Sequence, residues 1–332
     1  MPQASTPAPY ALILIDMVEQ RGFDRADILA ETGLAQLSLE QVGARISDSD
    51  FNRLATNALH LTGESDLGLQ LGLRLHLSAH ATLGQAFMTC RDLRQVMDLF
   101  LNYYHLLAPN LHLESEVVDN RVILAIHGDP DEGNEVFLTE VLFAAIQNTL
   151  GGLLAMDSLA MRIDAPYPPP PHAARYQEIF GEEPRFHSVQ PRVSFEASLL
   201  DAPLPSSNPA LRALYESECA RLLADLEETD SVAEQTLRLL RKLEGQYPQM
   251  PKLAQMLNFS PRTYRRRLER EQQSYQALLD QVRAEHATRY LQNTRLPLSS
   301  IAYMVGFNDA SNFRRAYMKW TGHSPGAVRR GS

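Results

Sequence analysis

The amino-acid sequence predicts an α+β N-terminal domain followed by an all-α C-terminal domain with two helix-turn-helix units joined by a long helix. Three observations carry this. Over the first two thirds, apolar spacing switches between the helical period and strict alternation, and those periods distinguish a helix face from a half-buried strand. In the last third an internal repeat sets Leu253-Ala254-Gln255-Met256-Leu257-Asn258-Phe259-Ser260 against Ile301-Ala302-Tyr303-Met304-Val305-Gly306-Phe307-Asn308. Charge is divided the same way: residues 235–332 hold 17 Lys and Arg against 6 Asp and Glu, while residues 1–234 hold 14 against 34. A basic end on an acidic body points to an anionic partner for that end.

A length of 332 residues suits two domains. With 44% hydrophobic and 21% charged residues the chain can bury a core. Cys90 and Cys219 stand far apart, which argues against a disulfide framework or zinc site and fits a reducing compartment. No basic residue precedes the first apolar stretch, and Asp16 interrupts it, so a signal peptide is not expected. No run reads as a membrane span. The expectation is a cytoplasmic protein without a membrane partner.

Taken in order, residues 1–9, with Pro2, Pro7 and Pro9, read as a flexible tail. Helical spacing follows from Tyr10 to about Leu75. Ser49 and Asp50 suit a cap for residues 51–62, where Leu54, Ala58 and Leu61 share a face. Leu67, Leu69, Leu71, Leu73, Leu75 and Leu77 alternate, yet leucine favours helix or a buried connection. Two further helices fill 82–107. Residues 111–118 and 121–127 alternate around Asp119-Asn120, a hairpin signal. Residues 137–156 read as a buried helix, 159–164 as a strand and 172–180 as a helix. Residues 185–188 and 192–195 suggest a second hairpin, and 208–226 an amphipathic helix. The resulting division is a sensing and dimerisation domain at 10–226, a linker at 227–234 and a basic domain at 235–332.

In the first repeat, Pro251 suits the opening turn of a helix and Asn258 tolerates a left-handed stop. Ser260 is a good N-cap and Pro261 is preorganised for the first helical position. Tyr264 and Leu268, four apart, face inward, which turns Arg262, Arg265, Arg266 and Glu269 outward. Exposed arginines near a helix start reach phosphates or guanine edges. The plain alternative is a solvated basic face, weakened by the lack of a matching acidic stripe. In the second repeat, Ser299 is the expected cap and Gly306 the left-handed stop. Phe307 plugs the turn, and Asn308 and Asp309 cap the next helix. Phe313, Ala316 and Tyr317 point inward, leaving Ala310, Ser311, Asn312 and Arg315 for base edges or phosphates. Between the repeats, a helical pattern at 274–293 would span about 30 Å, close to the ~34 Å turn of DNA.

Ser300-Ile301-Ala302, Val305-Gly306-Phe307, Phe313-Arg314-Arg315-Ala316-Tyr317 and Gly322-His323-Ser324-Pro325 together resemble the signature of the AraC/XylS family of bacterial transcriptional regulators. The resemblance covers about 253–330. It implies a seven-helix domain that binds double-stranded promoter or operator DNA. It places the first unit's base-reading residues on Arg262, Arg265 and Arg266 and the second unit's on Ala310, Ser311, Asn312 and Arg315, with Ser260 and Thr263 also in the DNA-binding set. One departure is Gln272, where many members carry glycine after the first recognition helix.

Arg21-Gly22-Phe23, Leu29, Gly33-Leu34, Leu67-Gly68-Leu69, Leu73, Thr82-Leu83-Gly84-Gln85-Ala86, Tyr176, Ile179-Phe180-Gly181, Phe186 and Phe195 resemble one subgroup of that family. It carries an N-terminal arabinose-binding-like domain, as in ornithine-utilisation regulators. The resemblance implies sensing of an unidentified small organic effector, a homodimer through this domain, or both, with RNA polymerase as a further partner.

Other chemistry in the first half is thin. His76 and His80 have helical metal-ligand spacing but lack further ligands, so surface or capping roles are expected. Tyr103, Tyr104 and His105 suit a pocket wall or ordinary packing. Gly151-Gly152 suits close packing or a kink. Cys90 beside Arg91 is a weak thiol candidate. No nucleophile motif is present, so no catalytic residue, metal or cofactor is expected. The rival readings are an enzyme with a nucleic-acid-binding tail and a protein-interaction module.

Overall fold

The computed structural model describes residues 4–37, 39–41, 43–109, 111–127, 134–156, 159–229, 231–243, 245 and 247–330. The chain divides into two compact units, Met1–Asp225 and Leu226–Ser332.

Unit one opens with β1 (Ala4–Pro7), paired antiparallel with β2 (Arg45–Ser47). The expected tail at 1–9 is thereby corrected over its described residues: 4–7 are strand, and Ala8 begins α1 (Ala8–Glu19). The cause is a long-range pairing. Pro7 closes the strand, where a missing N–H costs little, and the Ala8 N–H reaches the Ala44 carbonyl at 3.0 Å. Next come α2 (Arg25–Ile28), α3 (Asp48–Thr62), α4 (Leu67–Arg74), α5 (Ala81–Met88) and α6 (Leu93–Tyr103). Ser47, rather than Ser49 or Asp50, caps α3 by accepting from the Asp50 N–H. The alternating leucines form α4, with Leu67, Leu69 and Leu71 fully buried.

That burial comes from α7 (Glu135–Leu154), which lies along α4. A Cβ on Gly68 would come 2.6 Å from the Phe137 carbonyl, and one on Gly72 2.5 Å from the Val141 carbonyl. Close approach of another helix therefore belongs to these glycines: a Cβ on Gly152 would meet nothing within 4 Å, and one on Gly151 would meet only the Met156 carbonyl just past the end of its own helix, at 3.1 Å. The 20-residue α7, of mean hydropathy 1.4, is long and apolar enough to cross a membrane, contrary to the expectation that no run would be. Most of it is buried, with Phe137, Val141 and Ala145 packed in the core with α1, α3 and α4.

β3 (His112–Val118) and β4 (Arg121–His127) form the expected hairpin. Asp119 and Asn120 both take left-handed φ, 49° and 62°, as a two-residue type I′ turn requires. β5 (Arg162–Asp164), α8 (Ala174–Phe180) and β6 (Arg192–Glu196) follow, and the sheet runs β3-β4-β6-β5 with antiparallel neighbours. The expected hairpin between 185–188 and 192–195 is corrected. β6 pairs with β4 and β5, and Arg185 only bridges to Asp164. Pairing with β4 sets buried Val193 opposite Leu124 and buried Phe195 opposite Val122, a gain in cross-strand packing that a local hairpin lacks.

α9 (Pro209–Thr229) continues into the expected linker, and α10 (Val232–Lys242) starts within it. The linker at 227–234 is thus mostly helical. Its polarity is a capping signal: the Ser231 side chain accepts from the Glu234 N–H while the Glu234 carboxylate accepts from the Ser231 N–H. Unit two continues with α11 (Met250–Met256), α12 (Pro261–Arg270), α13 (Tyr275–Asn293), α14 (Leu298–Met304), α15 (Ala310–Thr321) and α16 (Pro325–Arg330). It has two cores on one spine. Leu278, Leu279 and Val282 of α13 pack with α10, α11 and α12. Ala287 and Leu291 of the same helix pack with α14 and α15.

Candidate nucleic-acid interface

The two helix-turn-helix units are built by the same local device. α11 stops at left-handed Asn258 (φ 58°), where the Phe259 N–H returns to the Ala254 carbonyl at 2.8 Å and the Asn258 N–H to Gln255 at 3.0 Å. α14 stops at Gly306 (φ 81°), with Phe307 bonded to Ala302 at 2.8 Å and Gly306 to Tyr303 at 3.0 Å. This bond pair satisfies the last helical carbonyls and reverses the chain. The expected cap Ser299 is corrected: Pro297 is the N-cap residue of α14, without a side-chain cap, and Ser299 lies inside the first turn. A proline's fixed φ sets the chain for helix entry without a hydroxyl.

From stop to cap, the second turn is one residue longer, Gly306 to Asp309 against Asn258 to Ser260. Ser260 Oγ accepts from the Thr263 N–H at 3.2 Å and donates to Thr263 Oγ1 at 2.9 Å. Asp309 accepts from the Asn312 N–H at 2.7 Å and from Asn312 Nδ2. Arg315 Nη2 then donates to Asn312 Oδ1 at 2.6 Å. The Asn312 backbone N–H holds the Asp309 carboxyl below its usual range. Asp309, Asn312 and Arg315 thus form one connected group at the start of α15.

Tyr264 and Leu268 bury the inner face of α12, as Phe313 and Tyr317 do for α15. Ser260, Arg262, Arg265 and Arg266 are exposed and Thr263 is half-buried; Ser311, Asn312 and Arg315 are exposed and Ala310 is half-buried. All nine expected residues lie at or near the starts of the second helices. Arg262, Arg265 and Arg266 make no hydrogen bond or ion pair among the described residues. Arg267 instead lies over the Phe259 ring, 4.7 Å from its centroid. Counted from the caps, exposed Arg314 matches Arg265. The outward reading had passed over it, although its place beside Arg315 was a signal.

Gln272 does not disturb the first recognition helix. It takes φ 56°, and the same stop forms, with Gln273 bonded to Leu268 at 2.9 Å and Gln272 to Glu269 at 3.1 Å. Ser274 caps the 19-residue α13, about 28 Å long.

In unit one, His80 turns inward, so its surface role is corrected. Its Nδ1 meets Tyr10 Oη at 2.7 Å and its Nε2 meets Thr149 Oγ1 at 3.1 Å, while burial pushes its pKa down to about 4. His76 faces Asn148 instead, so the two rings do not converge on a metal. Tyr104 is buried and stacked on His105. Cys90 and Cys219 are buried, their thiols pushed up to about 11, which makes them poor nucleophiles. Glu140 is fully buried; its Oε1 accepts from Tyr176 at 2.7 Å and meets His172 Nε2 at 2.5 Å, and burial raises its pKa. Two open clefts have volumes of about 240 and 440 Å³. The first is lined by Leu12, Leu29 and Leu34 with Arg25 and Glu40, and the second by Arg162, Glu182 and Arg185.

Residues 22–204 match the family described as the arabinose-binding domain of AraC transcription regulator, N-term, and residues 253–331 match a helix-turn-helix domain family. An ornithine utilization regulator from Pseudomonas aeruginosa is 36% identical, over 97% of this chain and 96% of its own length. The regulator VqsM from the same species is 24% identical over 77% of this chain and 81% of its own. Among solved structures, the transcriptional regulator CdpR from Pseudomonas aeruginosa aligns with 84% of this chain and 91% of its own, at 24% identity and a TM-score of 0.43.

Proposed function

The chain belongs to the AraC family of helix-turn-helix transcription regulators, and from that premise we propose how it divides the work of recognition. It is a sequence-specific DNA-binding regulator. α12 anchors it through Arg262, Arg265 and Arg266, with Ser260 and Thr263 at the phosphates. α15 reads base edges through Ala310, Ser311, Asn312 and Arg315. The observation that carries this reading is the contrast between the two starts: free arginines on α12, and on α15 an arginine already aimed by Asn312 and Asp309. A guanidinium held in one orientation suits bidentate contact with guanine, whereas unrestrained cations suit the sequence-independent backbone.

Residues 10–226 sense a small organic effector and pair two copies of the chain, which acts on its promoter and on RNA polymerase in the cytoplasm. The ornithine utilization regulator makes a basic amino acid the first effector to try. Titration of full-length protein with ornithine, followed by operator affinity, tests this; a shift in affinity supports it and an unchanged isotherm refutes that effector.

A further inference from the structure

The two cores of unit two meet along α13 between Val282 and Ala287. Arg283 stands at that junction. Its guanidinium lies 5.4 Å from the ring centroid of Tyr247, which packs on the first core, and 5.1 Å from that of Phe307, which packs on the second. Its Nη2 is 3.5 Å from the Gly306 carbonyl, and its Nε is buried without a hydrogen-bond partner. Two further contacts lie beside it. Tyr247 Oη meets His286 Nδ1 at 2.7 Å. Gly245, at φ 78°, lies so close to the Met304 carbonyl that a Cβ there would collide with it. A Cβ on Gly306 would sit 3.0 Å from Arg283 Nη2, so a side chain there shifts the guanidinium. At the corresponding stop of the first unit Asn258 takes the left-handed φ.

We propose that Arg283 is a positioning residue that locks the angle and helical phase between the two recognition helices, by stacking one planar cation on a ring from each core. This rests on the regulator reading above for its biological meaning. α13 alone fixes the distance between the units. Rotation of α14 and α15 about its end is resisted where the Gly306-Phe307 turn abuts Tyr247 and where Gly245 meets Met304, and the guanidinium is the side chain that stacks on a ring from each side. Lysine does not replace it, because an ammonium lacks the flat face that stacks on two rings.

The first readout needs no DNA. Glu269→Cys and Lys319→Cys, both exposed, place spin labels on α12 and α15 of the full chain, while the native thiols stay buried. The distance distribution between the labels is expected to be narrow in the parent and at least twice as broad in Arg283→Gln and Arg283→Lys. The second readout uses a duplex selected by the full chain from a random pool, and the same duplex with one base pair inserted between the two contacted segments. One base pair turns one segment by about 35° relative to the other. The parent is expected to lose at least about tenfold in affinity on the insertion, and the Arg283 variants less than about threefold. Should Arg283→Gln fail to fold, Gly306→Asn crowds the guanidinium while keeping a residue suited to left-handed φ, and carries the same expectations. Equal label distributions in parent and variant, or equal losses on the inserted duplex, overturn the proposal. A parent that enriches no sequence refutes the regulator reading instead and leaves the label distances to decide the lock.

Discussion

The two helix-turn-helix units share a stop, an aromatic plug and a capped second helix, but they differ in where their arginines go. In the first, Arg262, Arg265 and Arg266 are free and Arg267 is stacked on Phe259. In the second, Arg315 is tied through Asn312 to Asp309, and the plug Phe307 takes its cation from the spine helix rather than from its own unit. One scaffold therefore carries a charge-dominated face and a geometry-dominated face. The lesson is that residues beside the arginines, more than their number, decide how each arginine is held.

The largest effects should come from removing what the units share. Tyr264→Ala and Phe313→Ala each empty a fully buried position and should each cost about 3–5 kcal/mol of stability, read by denaturant unfolding. Tyr264→Ala also removes the 2.8 Å contact between the phenol and Thr236 Oγ1, whose hydroxyl keeps its bond to the Val232 carbonyl, so the loss should stay within the packing range. Equal and small losses would mean that the cores are looser than their burial indicates.

Next come the faces. Arg262→Ala with Arg266→Ala should weaken binding to every duplex alike and lower the slope of log affinity against log salt by about two. Arg315→Ala should cost about 1–3 kcal/mol at one base pair and relax specificity there. A smaller effect separates the caps. Ser260→Ala and Asp309→Ala should each cost about 1 kcal/mol of stability, but only Asp309→Ala should also relax base preference, because it releases Asn312 and Arg315. The Asp309 carboxyl is held below its usual range. Its contribution is therefore complete above the unfolded carboxylate pKa and is lost only as pH falls through the lowered value, so base preference should stay constant between pH 6 and 8. The smallest effect is a gain: Gln272→Gly should stabilise the protein by about 0.5–1 kcal/mol, because a side chain at φ 56° is strained. Thermal unfolding reads it, and a loss would show that the Gln272 side chain makes a compensating contact.

Signals that act within a few residues of sequence were legible beforehand. The Asn258 and Gly306 stops, the caps Ser260 and Asp309, and the Asp119-Asn120 turn all follow from local conformational preference, and the fold class followed from apolar period and the internal repeat; the Ser274 cap was not read. Partners far along the chain were not legible. The β1–β2 pairing, the choice of β4 over a local partner for β6, and the Gly68 and Gly72 approach to α7 depend on what lies across the core. The same holds for the site. Outward positions on α12 and α15 followed from helical spacing, but the orientation of Arg315, the capture of Arg267 and the place of Arg283 needed the turns to be built first. Ser299 shows the converse failure, since a good capping residue was passed over when Pro297 took the N-cap place two residues earlier.

The most direct test of the division between the units is a fluorescence-anisotropy titration of full-length parent, Arg262→Ala/Arg266→Ala and Arg315→Ala at two salt concentrations. The probes are a selected operator duplex and its single-base-pair substitutions. The expected result is a uniform loss with a flatter salt slope for the double variant, and for Arg315→Ala a loss on the operator that disappears on one substituted duplex. The same pattern in both variants, or parent binding indifferent to salt, would contradict it.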